Sequence, residues 1–419
     1  MKLRETSSVE LKADITDSFL KTVSAFANYR GGTIYFGISD DGEIIGLNNI
    51  DKKANSIENR INDTISPVPQ FFLNILPDST IRLTVLSGSE TLYYYKGQAY
   101  KRAATASVPV DRQELNRLIL RGSNINFEEL ASSRQDLHFH YLEQELKREL
   151  GISELNGDIL RTLNLYNAET KFNKAARLLA DENGLALIDL AKFGDSIDVI
   201  QARLRLENMS ILEAYAEATA FFRKFYCYEE IVGIKRERRE RVPELSFREA
   251  LANALVHRAW DVDAPINVAM YADRIEITSL GGLPAGLTAD DYLNRQISAL
   301  SNPILANVFF RLGYIEQFGT GIRRINQSYR NSITKPDYSV GTEAITVILP
   351  LFTASVDNLS PEEEKVYAFI QRKTFANRSE IESACTLSRA KTLRVLNTLI
   401  NKGIIKRSGD SRKTHYLLR

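Results

Sequence analysis

The sequence predicts a multidomain α+β protein, and three observations carry that prediction. The chain has 419 residues, which is more than one ordinary hydrophobic core accommodates. Hydrophobic residues make up 44% and charged residues 26%, a composition typical of a folded globular chain. Segments with helical spacing of apolar residues alternate with short strand-like segments. We divide the chain into residues 1–122, 123–242, 243–352 and 356–419.

Charge and cysteine content narrow the class of protein. The formal net charge is only +1, but from Val356 to the end 13 Lys and Arg stand against 7 Asp and Glu, a net of +6. A polyanionic partner is therefore expected at this end. Cys227 and Cys385 provide neither a disulfide framework nor a zinc cluster, which suits a reducing compartment. No apolar run approaches the roughly 18 residues that span a membrane, so we expect a cytoplasmic protein without a membrane partner.

Residues 1–122 predict an α+β domain. Helical spacing predicts a helix over 14–30, and Gly31-Gly32 ends it before a strand over 33–39. A second helix is expected over 51–65, a closing helix over 111–121, and short strands between them over 71–76, 81–86, 91–95 and 98–101. The tyrosines of the last two strands either stack on bases or pack within the sheet; they are Tyr93, Tyr94, Tyr95 and Tyr100.

Residues 123–242 predict a mainly helical connecting segment with a few possible strands. One strand is expected over 185–190 and an amphipathic helix over 209–225. A basic cluster over 235–241 precedes Pro243. It is either a solvated face or a nucleic-acid contact.

Residues 356–419 predict three helices followed by a two-stranded hairpin, the pattern of a winged helix-turn-helix. Ser360-Pro361 starts the first helix, Ser379 is expected to cap the second, and Ser388 caps a longer third helix whose apolar side includes Leu393. Strands over 404–406 and 414–418 form the wing.

Basic side chains of this C-terminal region are the predicted DNA contacts. The third helix is expected to enter the major groove, and the wing to contact phosphates. Use of this domain for protein contacts or dimerisation alone is the alternative. The predicted contacts are Arg389, Lys391 and Arg394 on the helix and Lys406, Arg407, Arg412 and Lys413 on the wing.

Two motifs within residues 243–352 predict a metal–nucleotide site. Ser246 is expected to cap a helix that reaches His257, which places Glu249 and Asn253 one turn apart on the same face. An amide oxygen there can ligate Mg²⁺, and the carboxylate can polarise a water molecule. Gly319-Thr320-Gly321 stands at the start of a later helix, where free backbone N–H groups bind phosphate.

A wider region, about residues 171–350, carries a family resemblance. The stretches FREALANALVHRAW (247–260), DRIEITSLGGLPAGLT (273–288) and SNPILANVFFRLGYIEQFGTGIRRI (301–325) resemble the RecG-related, AlbA-linked ATP-binding regulators, whose C-terminal half looks like a divergent GHKL ATPase, an α/β sandwich. The resemblance implies ATP, with Mg²⁺ on Asn253, phosphates near Gly319–Gly321 and Glu249 as the base. A GHKL-like shell without a working site is the alternative. A helicase is not implied, because the sequence lacks a G-x4-GK-[ST] loop.

One departure from that family concerns the base of the nucleotide. GHKL proteins usually read adenine with an Asp in a D-x-G-x-G segment. Here the corresponding segment is Ser279-Leu280-Gly281-Gly282, without an Asp.

The N-terminal residues carry a second resemblance. Glu5, Glu10 and Lys12 form an E-x4-E-x-K block, and residues 25–37 form an AFAN-x2-GG-x4-G block before Asp40-Asp41. Both blocks resemble the Schlafen/AlbA-type domain, over about residues 1–120. Schlafen nucleases hold a divalent metal on three acids to cut RNA. This implies Mg²⁺ or Mn²⁺ on Glu5, Glu10 and Asp40, with Asp41 as the alternative to Asp40, and Lys12 neutralising charge on the phosphoryl group. Nucleic-acid binding without cleavage, and a plain salt-bridge network on a solvated strand face, remain open.

These observations predict an ATP-binding and DNA-binding regulator of transcription. Nucleotide state is expected to control its conformation or its assembly into a homo-oligomer. The alternative is a Schlafen-like, metal-dependent endoribonuclease gated by ATP, directed at RNA such as tRNA and serving phage defence.

Overall fold

The structure, a computed structural model, divides into two compact units. The first comprises Met1–Leu130 with Pro284–Leu287, and the second Ala131–Leu283 with Thr288–Arg419. Helices and sheets occur in both units, which confirms the α+β prediction. The residues described are 3–88, 92–169, 171–232, 235–283, 287–294, 300–316, 319–341, 343–353, 359–373, 375–402, 404–409 and 414–418.

A four-stranded sheet covered by a helix organises the first unit. Its strand order is β1-β2-β5-β4, with β1 parallel to β2. Alternate residues of β2 and β5 face the first helix, and Phe19 of that helix meets Phe36 edge to face at 5.2 Å. The elements are β1 (Val9–Lys12), α1 (Ser18–Asn28), β2 (Gly32–Phe36), α2 (Ile50–Thr64), β3 (Ile65–Ser66), β4 (Phe71–Ile75), β5 (Ile81–Val85), β6 (Tyr94–Tyr95), β7 (Tyr100–Ala103), β8 (Ala106–Pro109) and α3 (Arg112–Gly122).

Residues 123–242 contain helices, as the sequence predicts, but they are not a separate connecting segment. They contribute two strands to a six-stranded sheet with the order β12-β11-β15-β16-β18-β17, and β11 pairs in parallel with β15. The elements are α4 (His140–Leu150), α5 (Gly157–Thr162), β9 (Tyr166–Asn167), β10 (Lys171–Phe172), α6 (Lys174–Leu179), β11 (Ala186–Phe193), β12 (Ile200–Glu207), α7 (Ile211–Tyr226), β13 (Cys227–Val232) and β14 (Lys235–Glu240).

The remaining strands of this sheet come from residues 243–352. Helices α7 and α8 pack together through Phe222 and Phe247, whose rings stack at 4.3 Å. Helix α8 begins at Glu244, after Pro243, so Ser246 lies inside the helix and is not its cap. The elements are α8 (Glu244–His257), β15 (Ile266–Met270), β16 (Arg274–Leu280), α9 (Ala289–Asn294), α10 (Pro303–Arg311), α11 (Gly321–Ser328), β17 (Asp337–Val340) and β18 (Ala344–Pro350).

The C-terminal residues form the predicted order of helices and hairpin around their own core. The second helix is capped by Asn377, whose side chain accepts from Glu380 N, and not by Ser379. Ser388 caps the third helix as predicted. Leu393 is 36% exposed, so it does not face the core. The elements are α12 (Pro361–Lys373), β19 (Phe375–Ala376), α13 (Arg378–Cys385), α14 (Arg389–Asn401), β20 (Ile405–Ser408) and β21 (His415–Leu418).

Among the described residues, no helix combines the length and the apolar character that crossing a membrane requires.

Candidate functional site

Helices α8 and α11 bring together the two motifs of the predicted nucleotide site. Gly321 is the first residue of α11, and Gly319 before it adopts a positive φ of 62° that turns the chain into the helix. A Cβ on Gly321 would lie 2.6 Å from Asn253 Nδ2 and 3.2 Å from Glu249 Oε2. A side chain on residue 321 would therefore collide with Asn253 and crowd Glu249, so the start of α11 lies directly against these two polar groups. We call this junction of Gly321, Asn253 and Glu249 the Gly321 cradle.

Glu249 is the most enclosed polar group at the cradle. It is 4% exposed, and its Oε1 lies 2.7 Å from Arg324 Nη1. Burial raises the pKa of the Glu249 carboxyl, and the neighbouring Arg324 offsets part of that rise. Glu316, 3.7 Å from the same Arg324 nitrogen, adds negative charge nearby. Arg324 is not predicted from the sequence, because nothing in the sequence spacing connects this residue with Glu249.

At the end of the site predicted to read the base, the described residues 279–283 include no carboxylate, and the polar side chain of Ser279 is used internally. Ser279, at the position where the family has its adenine-reading Asp, is buried and donates its hydroxyl to Ala254 O at 3.0 Å. Gly281 has a φ of 116°, and a Cβ there would lie 2.9 Å from Ala259 N, so close packing requires glycine. Gly282 follows within the described residues.

The two basic residues that end α8 do not offer charge to a phosphate. Burial lowers the pKa of His257 to about 4, so its ring is neutral at neutral pH. Arg258 is 2% exposed, donates to Ala186 O and Val262 O, and lies over the Trp260 ring at 4.1 Å. Arg258 therefore ties the end of α8 to the neighbouring chain.

These residues fit the phosphate and metal end of an ATP site. Asn253 supplies an oxygen of the kind Mg²⁺ prefers, and its Oδ1 is 3.3 Å from the position of a Gly321 Cβ. The first turn of α11 presents backbone N–H groups on the same side of the cradle.

Two of the three acids predicted to hold a metal near the N-terminus, Glu5 and Glu10, have other partners in the structure. Glu10 is 6% exposed, and its two oxygens meet Lys12 Nζ at 2.6 Å and Arg102 Nη2 at 2.7 Å. Glu5 Oε1 accepts from Leu11 N at 3.1 Å, whereas Asp40 is exposed in a turn. Glu10 and Lys12 therefore do not form the solvated strand face that the alternation predicts.

The described residues include one group of three potential metal ligands, and it is not this one. Cys227, Glu240 and Glu244 have ligand atoms within 4.8 Å of one another. Arg223 contacts Glu244 at 2.6 Å, and Arg238 contacts both Glu244 and Cys227 Sγ. Two arginines already balance these acids, so the group is an ion-pair cluster at the base of the β13–β14 hairpin.

The basic cluster over 235–241 belongs to that hairpin. Arg236 pairs with Glu229 at 3.3 Å, and Arg239 with Glu230 at 2.9 Å. All six residues of β14 are exposed. Arg236 and Arg239 are thus matched by acids of the same hairpin, which favours the solvated face over a polyanion contact.

The C-terminal basic residues lie on an exposed helix face and strand. Arg389, Lys391 and Arg394 of α14 are exposed, as are Lys406 and Arg407 of β20. Lys391 pairs with Glu362 at 2.6 Å, whereas among the residues the structure describes no acid pairs with Arg389 or Arg394. The other predicted wing residues, Arg412 and Lys413, lie outside the described residues.

Two segments of the chain match known families. Residues 5–111 match the family model described as "Schlafen, AlbA_2", and residues 263–349 match the one described as "Putative ATP-dependent DNA helicase recG C-terminal". The predicted resemblance of both segments is thereby confirmed. The second match includes Gly281, Gly282 and Gly319–Gly321, whereas Glu249 and Asn253 precede it.

One solved structure extends the comparison to the whole chain. The crystal structure of the DIP2311 protein from Corynebacterium diphtheriae is 20% identical, with a TM-score of 0.50, and the match covers 99% of this chain and 92% of that chain. The likeness concerns the fold alone. No curated protein matches the sequence of this chain. The two family matches indicate an ATP-binding, DNA-associated regulator, and the ATPase-like segment indicates ATP with Mg²⁺.

Proposed function

We propose that the protein is a DNA-binding regulator of transcription whose conformation or assembly depends on bound ATP. The observation that carries this proposal is the Gly321 cradle, where Asn253, Glu249 and the α11 N-terminus converge. Bound Mg²⁺ would neutralise phosphate charge there. Asn253 would hold the metal, the first turn of α11 would bind phosphate oxygens, and Glu249 would accept a proton from water.

The cradle makes nucleotide binding testable with one added methyl group. Ala favours a helix more than Gly, yet a Cβ at residue 321 meets Asn253 Nδ2 at 2.6 Å. We expect Gly321→Ala to reduce Mg²⁺-ATP affinity at least about tenfold, because the methyl group would push Asn253 and the first turn of α11 apart, and both are proposed to bind the metal–phosphate group. Calorimetric titration of the full chain measures this.

Gly157→Ala is the matched control for that experiment. Gly157 also begins a helix, but a Cβ there comes no closer than 3.7 Å to a neighbouring side chain. Its ATP affinity should equal that of the wild type. If Gly321→Ala binds Mg²⁺-ATP as tightly as Gly157→Ala, the cradle is not the phosphate site.

For the C-terminal residues we propose a winged helix that binds duplex DNA. Arg389 and Arg394 on α14 are exposed and have no acidic partner among the described residues. This supports DNA binding, since a helix fits the major groove and arginine contacts both phosphates and base edges. The full chain should shift duplex DNA in an electrophoretic assay, and deletion of residues 356–419 should weaken the shift. Unchanged affinity after that deletion would refute the proposal.

Coupling between the two sites is the regulatory part of the proposal. Mass measurement and DNA affinity with and without Mg²⁺-ATP test it together. A change in either one supports nucleotide control. If ATP binds but changes neither, the protein binds nucleotide and DNA independently.

A further inference from the structure

Arg324 is a charged residue at the cradle, and the proposed function gives it no part in binding the nucleotide. It lies on the first turn of α11, three residues after Gly321. One oxygen of Glu249 contacts Arg324, while the other lies 3.2 Å from the position of a Gly321 Cβ. The guanidinium is therefore separated from the cradle by a single carboxylate group.

While Arg324 and Glu249 form an ion pair, Glu249 is a weaker proton acceptor and Arg324 is not free to bind a phosphate. A buried carboxylate that accepts a proton from water is more effective without a bound guanidinium, because the positive charge stabilises its ionised form. A guanidinium also binds phosphate oxygens strongly, because it can donate to them the same two parallel hydrogen bonds that it donates to a carboxylate. The terminal phosphate of a triphosphate in the cradle would compete with Glu249 for Arg324.

We propose that Arg324 recognises the terminal phosphate of the bound nucleotide and so selects nucleoside triphosphate over diphosphate. Its pair with Glu249 is then the arrangement of the nucleotide-free chain. Triphosphate binding transfers Arg324 to the phosphate and releases Glu249, whereas a diphosphate leaves the pair intact. This inference rests on the proposed nucleotide site.

The test compares affinities for Mg²⁺-ADP and for the Mg²⁺ complex of a non-hydrolysable β,γ-imido ATP analogue. Arg324→Gln should lose about tenfold or more in affinity for the triphosphate, as expected for a charge-assisted contact, and change little toward ADP. Glu249→Gln should act in the opposite direction and bind the triphosphate more tightly than the wild type, because no carboxylate competes for Arg324.

The neighbouring Arg323 supplies the control. It is exposed on the same helix, so Arg323→Gln removes the same charge without touching Glu249, and both affinities should stay at wild-type values. If Arg324→Gln is too unstable to purify, the double variant Glu249→Gln/Arg324→Gln removes both partners of the pair and preserves the fold better. It should bind the two nucleotides with similar affinity.

Two outcomes contradict the inference, and they are distinguishable. If Arg324→Gln weakens triphosphate and diphosphate equally, or neither, Arg324 only holds α11 against α8. The nucleotide site itself then stands. If the wild-type chain binds neither nucleotide, the proposed function fails and this inference fails with it.

Discussion

At the scale of single residues, Glu10 illustrates how one pattern supports two chemistries. An E-x4-E-x-K block suits a metal site, but a carboxylate that is 6% exposed between Lys12 and Arg102 already has its counter-charges. Arg102 reaches it from β7, 92 residues away in the sequence, and also lies over the Phe26 ring at 5.5 Å. Local spacing contains no information about a partner that the fold supplies from so far along the chain.

We predict that Glu10→Gln destabilises the first unit, and that the size of this effect does not depend on a bound metal ion. Removing one partner of a buried ion pair leaves the other charge uncompensated, which costs about 3–5 kcal/mol. The unfolding midpoint of the full chain in urea should fall, with or without Mn²⁺. Asp40→Asn is the control, because Asp40 is exposed and its loss should change the midpoint little. A large Mn²⁺-dependent stabilisation of the wild type that Glu10→Gln abolishes would instead support the nuclease.

His257 makes the stability of the second unit depend on pH. Its pKa is lowered from 6.5 to about 4, so between these values the unfolded chain binds a proton that the folded chain excludes. Stability therefore rises with pH across this window and is fully present above 6.5. The shift corresponds to an effect on the order of 3 kcal/mol.

Thermal unfolding between pH 4.5 and 7 tests that prediction. His257→Gln should show a flatter dependence of the midpoint on pH than the wild type. The exposed His138 gives the control, since His138→Gln should keep the wild-type slope. Parallel curves for the wild type and His257→Gln would contradict it.

At the scale of elements, helix α14 makes a graded prediction about DNA binding. Arg389 and Arg394 have no acidic partner among the described residues, whereas Lys391 pairs with Glu362. Each phosphate contact that is lost should reduce the slope of log affinity against log salt by about 0.9. We expect Arg394→Ala to weaken duplex binding more than Lys391→Ala, because the lysine must first leave its acid.

Arg372→Ala is the appropriate control for α14. It removes a positive charge from the exposed last turn of α12 in the same C-terminal region. Its salt slope should match that of the wild type. If all three variants lose affinity equally, the region attracts DNA through its net charge and not through α14.

Elements with strong local signals were predictable from the sequence. The capping serine before α14 and the glycines that open α11 fix where those helices start, and the structure places both starts as predicted. Strand β11 was predicted near its observed position because it is a short apolar run. Strand β12 was missed. Its residues Ala202, Leu204 and Leu206 alternate with polar residues, and the pairing with β11 that makes this segment a strand is not visible in the sequence.

At the scale of the whole molecule, the prediction and the structure differ at one domain boundary, the one expected before Pro243. The sequence suggests a break before Pro243, where a basic cluster precedes a proline. The structure instead continues one sheet across that point, since β11 and β12 come before it and β15 to β18 after it. Composition marks the exposed β13–β14 hairpin, but it carries no signal for the parallel pairing of β11 with β15.

That sheet predicts which fragments of the chain fold. A fragment of residues 243–419 leaves the β15 edge without β11, exposing unpaired backbone groups and the apolar residues Ile266 and Val268 that are buried in the full chain. A fragment of residues 131–419 keeps all six strands. We therefore expect residues 131–419 to unfold in a cooperative thermal transition and to be monomeric or a defined oligomer, whereas residues 243–419 should aggregate or lack a transition. The two fragments share their C-terminus, so only the missing strands and the helices that accompany them distinguish the two. A cooperative transition of similar midpoint in both fragments would mean that the second sheet half is dispensable and that the boundary before Pro243 is a true domain boundary.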